Sequence, residues 1–174
     1  YLLWRARVKK MLELGLPVLE GDKGDEDFMA LAADLYAEDG PNGPLNEKLL
    51  DIFETTNGLD EALLEFPRAL EVFATQISQR SSRVIDLFRR RSQDPTVRRL
   101  IFEQLAREHP DALALFSARE VKGALERGGD PALYARAADA FAAQDGSAIF
   151  LDEPGFSRIV SALKTSEGWA IASK

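Results

Sequence analysis

The chain has no cysteine among its 174 residues. That excludes disulfides, thiolate metal sites and a cysteine nucleophile. It has a single histidine, His109. With one imidazole and no thiol, a zinc site would have to be assembled largely from carboxylates, an unusual ligand set. A Ser–His–Asp triad has only His109 to draw on, and no serine stands in a G-x-S-x-G context. His109 is followed directly by Pro110, and at a helix end it answers terminal carbonyls better than it serves as a base. The glycines nowhere take the spacing of GxGxxG or of a Walker A loop. No cofactor and no metal are therefore expected. No apolar run approaches the roughly 18 residues of a spanning helix, and no charged stretch leads into an apolar one as in a signal peptide. Lack of cysteine and of a leader points to a cytoplasmic setting. The chain opens on Tyr1 rather than Met, as expected of one processed or excised from something longer.

Hydrophobic side chains make up 45% of the chain and charged ones 29%. That is enough apolar material for a real core and too little charge for a disordered composition. The formal charge is −7, which argues against broad nucleic-acid binding. The charge is unevenly distributed. From Gln79 to Arg107 there are eight arginines and three acids, a net of +5; the other 14 basic and 26 acidic residues leave −12.

Periodicity and punctuation predict an all-α chain of seven to nine short helices. An amphipathic helix over 1–14 carries Trp4, Val8, Met11 and Leu12 on one stripe, with Arg5, Arg7, Lys9 and Lys10 off it, and Gly15 and Pro17 end it. A basic terminal helix of this kind suits an anionic membrane surface, but it is short and poor in aromatics, so docking on the core is favoured. Gly21–Asp27, GDKGDED, fits no EF-hand register and reads as the acidic start of a helix over 26–38, with Phe28, Leu31, Ala32, Leu35 and Tyr36 on its buried stripe. Asp39–Pro44, DGPNGP, is the clearest break. Residues 1–174 read as one helical domain, with a sub-boundary at 39–44 separating an N-terminal helical pair, 1–38, from the main array, 45–174.

A helix over 45–56 holds Leu49, Leu50, Ile52 and Phe53 and closes on Asn57-Gly58, a left-handed cap signal. Helices over 59–65, 67–79 and 82–91 follow, the last two being candidates for one continuous helix. Asp94-Pro95 starts a helix to Glu108, because aspartate caps and proline at the first position has no amide to waste. The motif SARE, Ser117–Glu120, has the form of a capping box, Gly128-Gly129 stops its helix, and Asp130-Pro131 starts another. Ala148–Leu151 is short and apolar, a loop plug or an extended piece. The last helix, over 154–164, carries Phe156, Ile159, Val160 and Leu163, and Trp169 and Ile171 in the tail suggest that it packs.

The two Asp-Pro starts lie 36 residues apart, and the helices after them pair at a shift of about 36 to 38 residues, Val97 with Leu133 and Leu125 with Leu163. Stacked helical hairpins, an irregular α-solenoid, are the candidate arrangement of the C-terminal half. Such hairpins bury their stripes against one another and leave a face for a partner. Helices of about 14 residues also give such coincidences without a repeat.

The candidate binding residues are Arg80, Arg83, Arg90, Arg91, Arg98 and Arg99. At about 100° per residue, Arg83 and Arg90 fall within roughly 20° of each other, with Arg80 and Arg91 near them and Arg98 and Arg99 opening the next helix. Arginine forks take carboxylates and phosphates bidentately. The competing explanation is that acids of the chain itself absorb these charges. The reading is a non-catalytic helical adaptor or scaffold module that binds a protein partner, such as an acidic or phosphorylated segment, through this surface. Two alternatives stand beside it. One is a small helical enzyme using a carboxylate pair, since 29 acids offer many pairs. The other is a helix-turn-helix nucleic-acid binder over Ser117–Phe141, whose second helix brings only Arg136. A catalytic role, nucleic acid and a membrane are all disfavoured.

Overall fold

The computed structural model describes residues 1–18 and 27–164. Among these the chain is all-helical, with ten α-helices, two 3-10 helices and no strand. The acidic turn expected at 21–27 lies almost wholly outside the described residues, as does the tail from 165 onward. Two compact units meet in sequence between Asp94 and Pro95.

The first unit contains α1 (Leu2–Glu13), α2 (Phe28–Asp39), α3 (Asn46–Thr55), α4 (Leu59–Glu65), α5 (Pro67–Ser78) and α6 (Ser82–Arg91). α2 packs on α3, α4 and α5, and α5 on α6. Leu31, Tyr36, Leu49, Phe53, Phe73, Ile77, Val84 and Phe88 are buried in its core. Each occupies the stripe its helical period assigns to it. The core contains one polar knot. Gln76 Nε2 donates to Asn46 Oδ1 at 2.8 Å, Asn46 Nδ2 donates back to Gln76 Oε1 at 3.1 Å, and the Tyr36 hydroxyl donates to the same Gln76 oxygen. Burial pushes the Tyr36 hydroxyl far above its ordinary pKa, so it stays a donor. A satisfied knot ties α2, α3 and α5 in one register.

The punctuation acts through backbone geometry. Asp39–Pro44 is a tight loop inside the first unit. Asp39 Oδ2 accepts from the Leu45 amide at 3.1 Å, and a Cβ on Gly43 would fall 2.2 Å from the Asp39 carbonyl oxygen. Asn57 takes a positive φ of 54° after α3. α5 and α6 are two helices, because Arg80 turns left-handed (φ 61°) between them and the Ser81 hydroxyl caps α6 by accepting from the Val84 amide at 3.3 Å.

The second unit contains α7 (Pro95–Glu108), a 3-10 helix (Pro110–Leu115), α8 (Ala118–Gly128), α9 (Pro131–Ala140), a second 3-10 helix (Asp145–Leu151) and α10 (Glu153–Ala162). α7 packs on α8 and α9, and α9 on α10. Asp130 Oδ1 caps α9 by accepting from the Ala132 amide at 2.9 Å, and Gly129 ends α8 at φ 71°. The SARE capping box does not form. Ser117 makes no side-chain cap bond, and Glu120 pairs instead with Arg98 on α7. Ala148–Leu151 lies in the second 3-10 helix rather than in an extended piece. Its Phe150 is fully buried with ring centroids 5.5 Å from both Tyr134 and Phe141.

Candidate functional site

Arg80, Arg83, Arg90 and Arg91 belong to the first unit, and Arg98 and Arg99 to the second. In the first, α3 presents Asp51 and Glu54 one turn apart, and α6 lays its arginines against them. Arg83 Nη2 lies 2.6 Å from Asp51 Oδ1 and 3.2 Å from Glu54 Oε2. Arg90 Nη2 lies 2.8 Å from Glu54 Oε1, and its Nε 2.8 Å from Asp86 Oδ2. The hydrogen bond from Arg90 holds the Glu54 carboxyl below its ordinary range, and the bonds to Glu54 and Asp86 raise Arg90. Arg91 Nη1 donates to Asn57 Oδ1 at 3.1 Å. Arg80 is exposed, at the left-handed turn. In the second unit, Arg98 pairs with Glu120, and Arg99 Nη1 lies 2.7 Å from Glu103 Oε1. Asp51 and Glu54 are not singled out by the sequence, and Asn57 is marked there only as a helix cap. The available signal was the i, i+3 spacing of Asp51 and Glu54 on one helix against the i, i+7 spacing of Arg83 and Arg90 on another.

A second charged cluster, also unflagged by sequence, joins α8 to α10. Lys122 Nζ lies 2.9 Å from Asp152 Oδ2 and pairs with Glu126. Arg158 reaches Glu126 at 3.6 Å and lies 5.4 Å over the Tyr134 ring. The Glu126 hydrogen bond raises Lys122. The Lys122 hydrogen bond, with the Gly155 amide behind it, lowers Asp152. Both shifts move titration away from neutrality, the reverse of what a general acid or base needs. The cluster is a brace between helices.

His109 sits at the end of α7, its amide donating to the Leu105 carbonyl at 2.7 Å. Arg136, the single cation of the candidate recognition helix, donates to the Arg107 carbonyl at 2.8 Å. Among the described residues no group of three or more His, Asp or Glu side chains is placed to hold a metal ion, and no helix is long and apolar enough to cross a membrane.

Three surface features remain. A groove of about 490 Å³ in the first unit is lined by Ala33, Ala37, Phe66, Pro67 and Arg68 together with Arg5, Asp34 and Glu38. Within that lining Arg5 pairs with Asp34 at 2.7 Å and with Glu38. On α1, Val8 and Leu12 face the core, while Leu3, Arg7, Lys10 and Leu14 recur at i, i+4, i+7 and i+11 on the outer side, with Leu3 89% and Leu14 61% exposed. On α10, Phe156 and Val160 point outward. No family model, no curated protein and no solved structure matches this chain.

Proposed function

We propose that the protein is a non-catalytic helical adaptor module of the cytoplasm that binds a protein partner. The observation that carries this reading is the outer face of α1, where Leu3 and Leu14 stand exposed beside the basic Arg7 and Lys10. Exposed large apolar side chains beside Arg7 and Lys10, with Glu13 3.7 Å from Lys10 at the margin, suit a partner helix or segment that is apolar in its middle and mainly acidic at its edges. The chemistry favoured for the partner, an acidic or phosphorylated segment, follows from that charge. Arg80 and Arg91, which have no carboxylate within ion-pair distance among the described residues, offer it a further contact on the same unit. In this reading α7–α8 and α9–α10 are stacked hairpins that serve as scaffold.

The test is affinity capture from a lysate of the source organism with the whole chain as bait. Leu3→Asp with Leu14→Asp is expected to abolish capture of any saturable partner, and Arg80→Glu with Arg91→Glu to weaken it several-fold, with the helical circular dichroism unchanged. Capture by the folded Leu3→Asp, Leu14→Asp variant equal to wild type would remove the α1 face. Saturable binding of the wild type to anionic vesicles without any protein partner would replace the adaptor reading with a membrane one.

A further inference from the structure

α10 docks by its small residues and leaves its large ones outside. Gly155 and Ala162 are buried, and seven residues apart they lie within about 20° of each other on the helix. The approach at Gly155 is close, since a Cβ there would fall 2.1 Å from the Phe150 carbonyl oxygen and 2.4 Å from the Tyr134 hydroxyl. Phe156 and Val160 lie roughly 100° and 140° round from that contact, and they are 61% and 39% exposed. Ile159 and Leu163 are half-buried at the margin. Among the described residues of the second unit, the exposed large hydrophobic side chains are these two and Leu151, 60% exposed, two residues before the helix. So, among the described residues, Phe156 and Val160 stand exposed on one helix whose apolar residues 156, 159, 160 and 163 take the spacing i, i+3, i+4, i+7, which is the pattern of a helix awaiting another helix.

The charges beside that stripe indicate which helix. Glu153 opens α10 and Lys164 follows its end, within about 20° of each other on the outer margin of Val160. Neither side chain is seen in an ion pair or hydrogen bond among the described residues; the Lys164 amide donates to the Ser161 carbonyl at 3.2 Å. A stripe with an acid at one end and a base at the other complements a copy of itself turned end for end. We infer that the α10 face is a self-association surface, pairing antiparallel with α10 of a second copy of this chain about a two-fold axis. In that register Phe156 lies beside the partner's Leu163 and Ile159 beside the partner's Val160. Glu153 then comes level with the partner's Lys164 to within about two residues, roughly 3 Å. The two helix dipoles run opposite, which also favours the pairing. A two-fold contact uses each patch twice, as most homodimers do. A single helix pair buries less than the ~800 Å² per partner of a standard interface, so the dimer is expected to dissociate in the micromolar range. This face and the α1 face belong to different units and are tested by different variants, so either proposal can fail alone.

Sedimentation equilibrium of the whole chain from low to high micromolar concentration tests it. The wild type is expected to move from monomer to dimer over that range, and Phe156→Asp to stay monomeric with unchanged circular dichroism. Glu153→Lys and Lys164→Glu each turn two attractions into two repulsions and are expected to weaken the dimer about tenfold. An equimolar mixture of those two variants matches every pair again in the heterodimer and is expected to restore association. A wild type that stays monomeric throughout, as it would if another part of the chain or a different protein covers the stripe, overturns the inference. So does undiminished dimerisation of Phe156→Asp, or a mixture that stays monomeric.

Discussion

Glu54 accepts from Arg90 at 2.8 Å and lies 3.2 Å from Arg83, so one carboxylate on α3 answers two cations on α6. Its pKa is lowered on folding, first by the Arg90 hydrogen bond. A carboxyl lowered in the folded state gives stability that is present above its unfolded pKa, about 4.3, and lost as pH falls through the folded value. Urea midpoints of the wild type should therefore drop between about pH 5 and pH 3 more steeply than those of Glu54→Gln, while above pH 6 the two curves run parallel. Coincident slopes in the acid range would mean that the pair contributes nothing on folding. Arg90→Glu is a poor probe of partner binding for the same reason: it sets two carboxylates against the new one. Arg80, which touches none, is the cleaner position.

At the scale of elements, Arg80 also decides where α5 stops. A left-handed turn is strained for any residue with a Cβ, by roughly 1 kcal/mol or more, and glycine relieves it. Arg80→Ala and Arg80→Gly delete the same charge, so their difference isolates the backbone. The glycine variant is expected to be more stable than the alanine one by about 0.5–1 kcal/mol in thermal or urea unfolding, and an alanine variant equal or superior to it would show that the turn relaxes. No breaker residue marks this turn in the sequence, which is why 67–91 was open to being read as one helix. Where Gly, Pro, Asn or Asp did mark a boundary, the helix ends or starts there: it ends at Asn57-Gly58 and Gly128-Gly129 and starts at Asp130-Pro131. Hydrophobic period likewise identified which residues share a face: Phe73, Ile77, Val84 and Phe88 all lie in the core. It did not say which side of that face is inside. α10 has as regular a stripe as any helix here, yet docks through Gly155 and Ala162, because a glycine lets backbones approach closely and a stripe period is blind to that. SARE shows the same limit, since Glu120 had a local partner by spacing and a distant one by folding.

Across the whole molecule, the arginine stretch of net +5 was legible as composition, and so were the i, i+4 pairs Arg90–Asp86 and Arg99–Glu103, but the other partners were not, because they lie far off in sequence. Arg83 meets Asp51 32 residues away and Arg90 meets Glu54 36 residues away. Fixed in pairs, these cations present far less field than a count suggests. Duplex binding requires the release of several counterions, with a salt slope near −0.9 for each phosphate neutralised. Here Arg83, Arg90, Arg98 and Arg99 each have carboxylate partners, Arg136 is held by a carbonyl, and the chain as a whole carries −7. A phosphate reaching those guanidinium groups would compete with a carboxylate already in place. Fluorescence anisotropy with a labelled duplex at about 50 mM salt should accordingly give no saturable binding at micromolar protein. The opposite result, tight binding that collapses as salt rises to about 200 mM, would require at least several of these ion pairs to open. The helix-turn-helix reading of α8 and α9 would then have to be preferred to the adaptor.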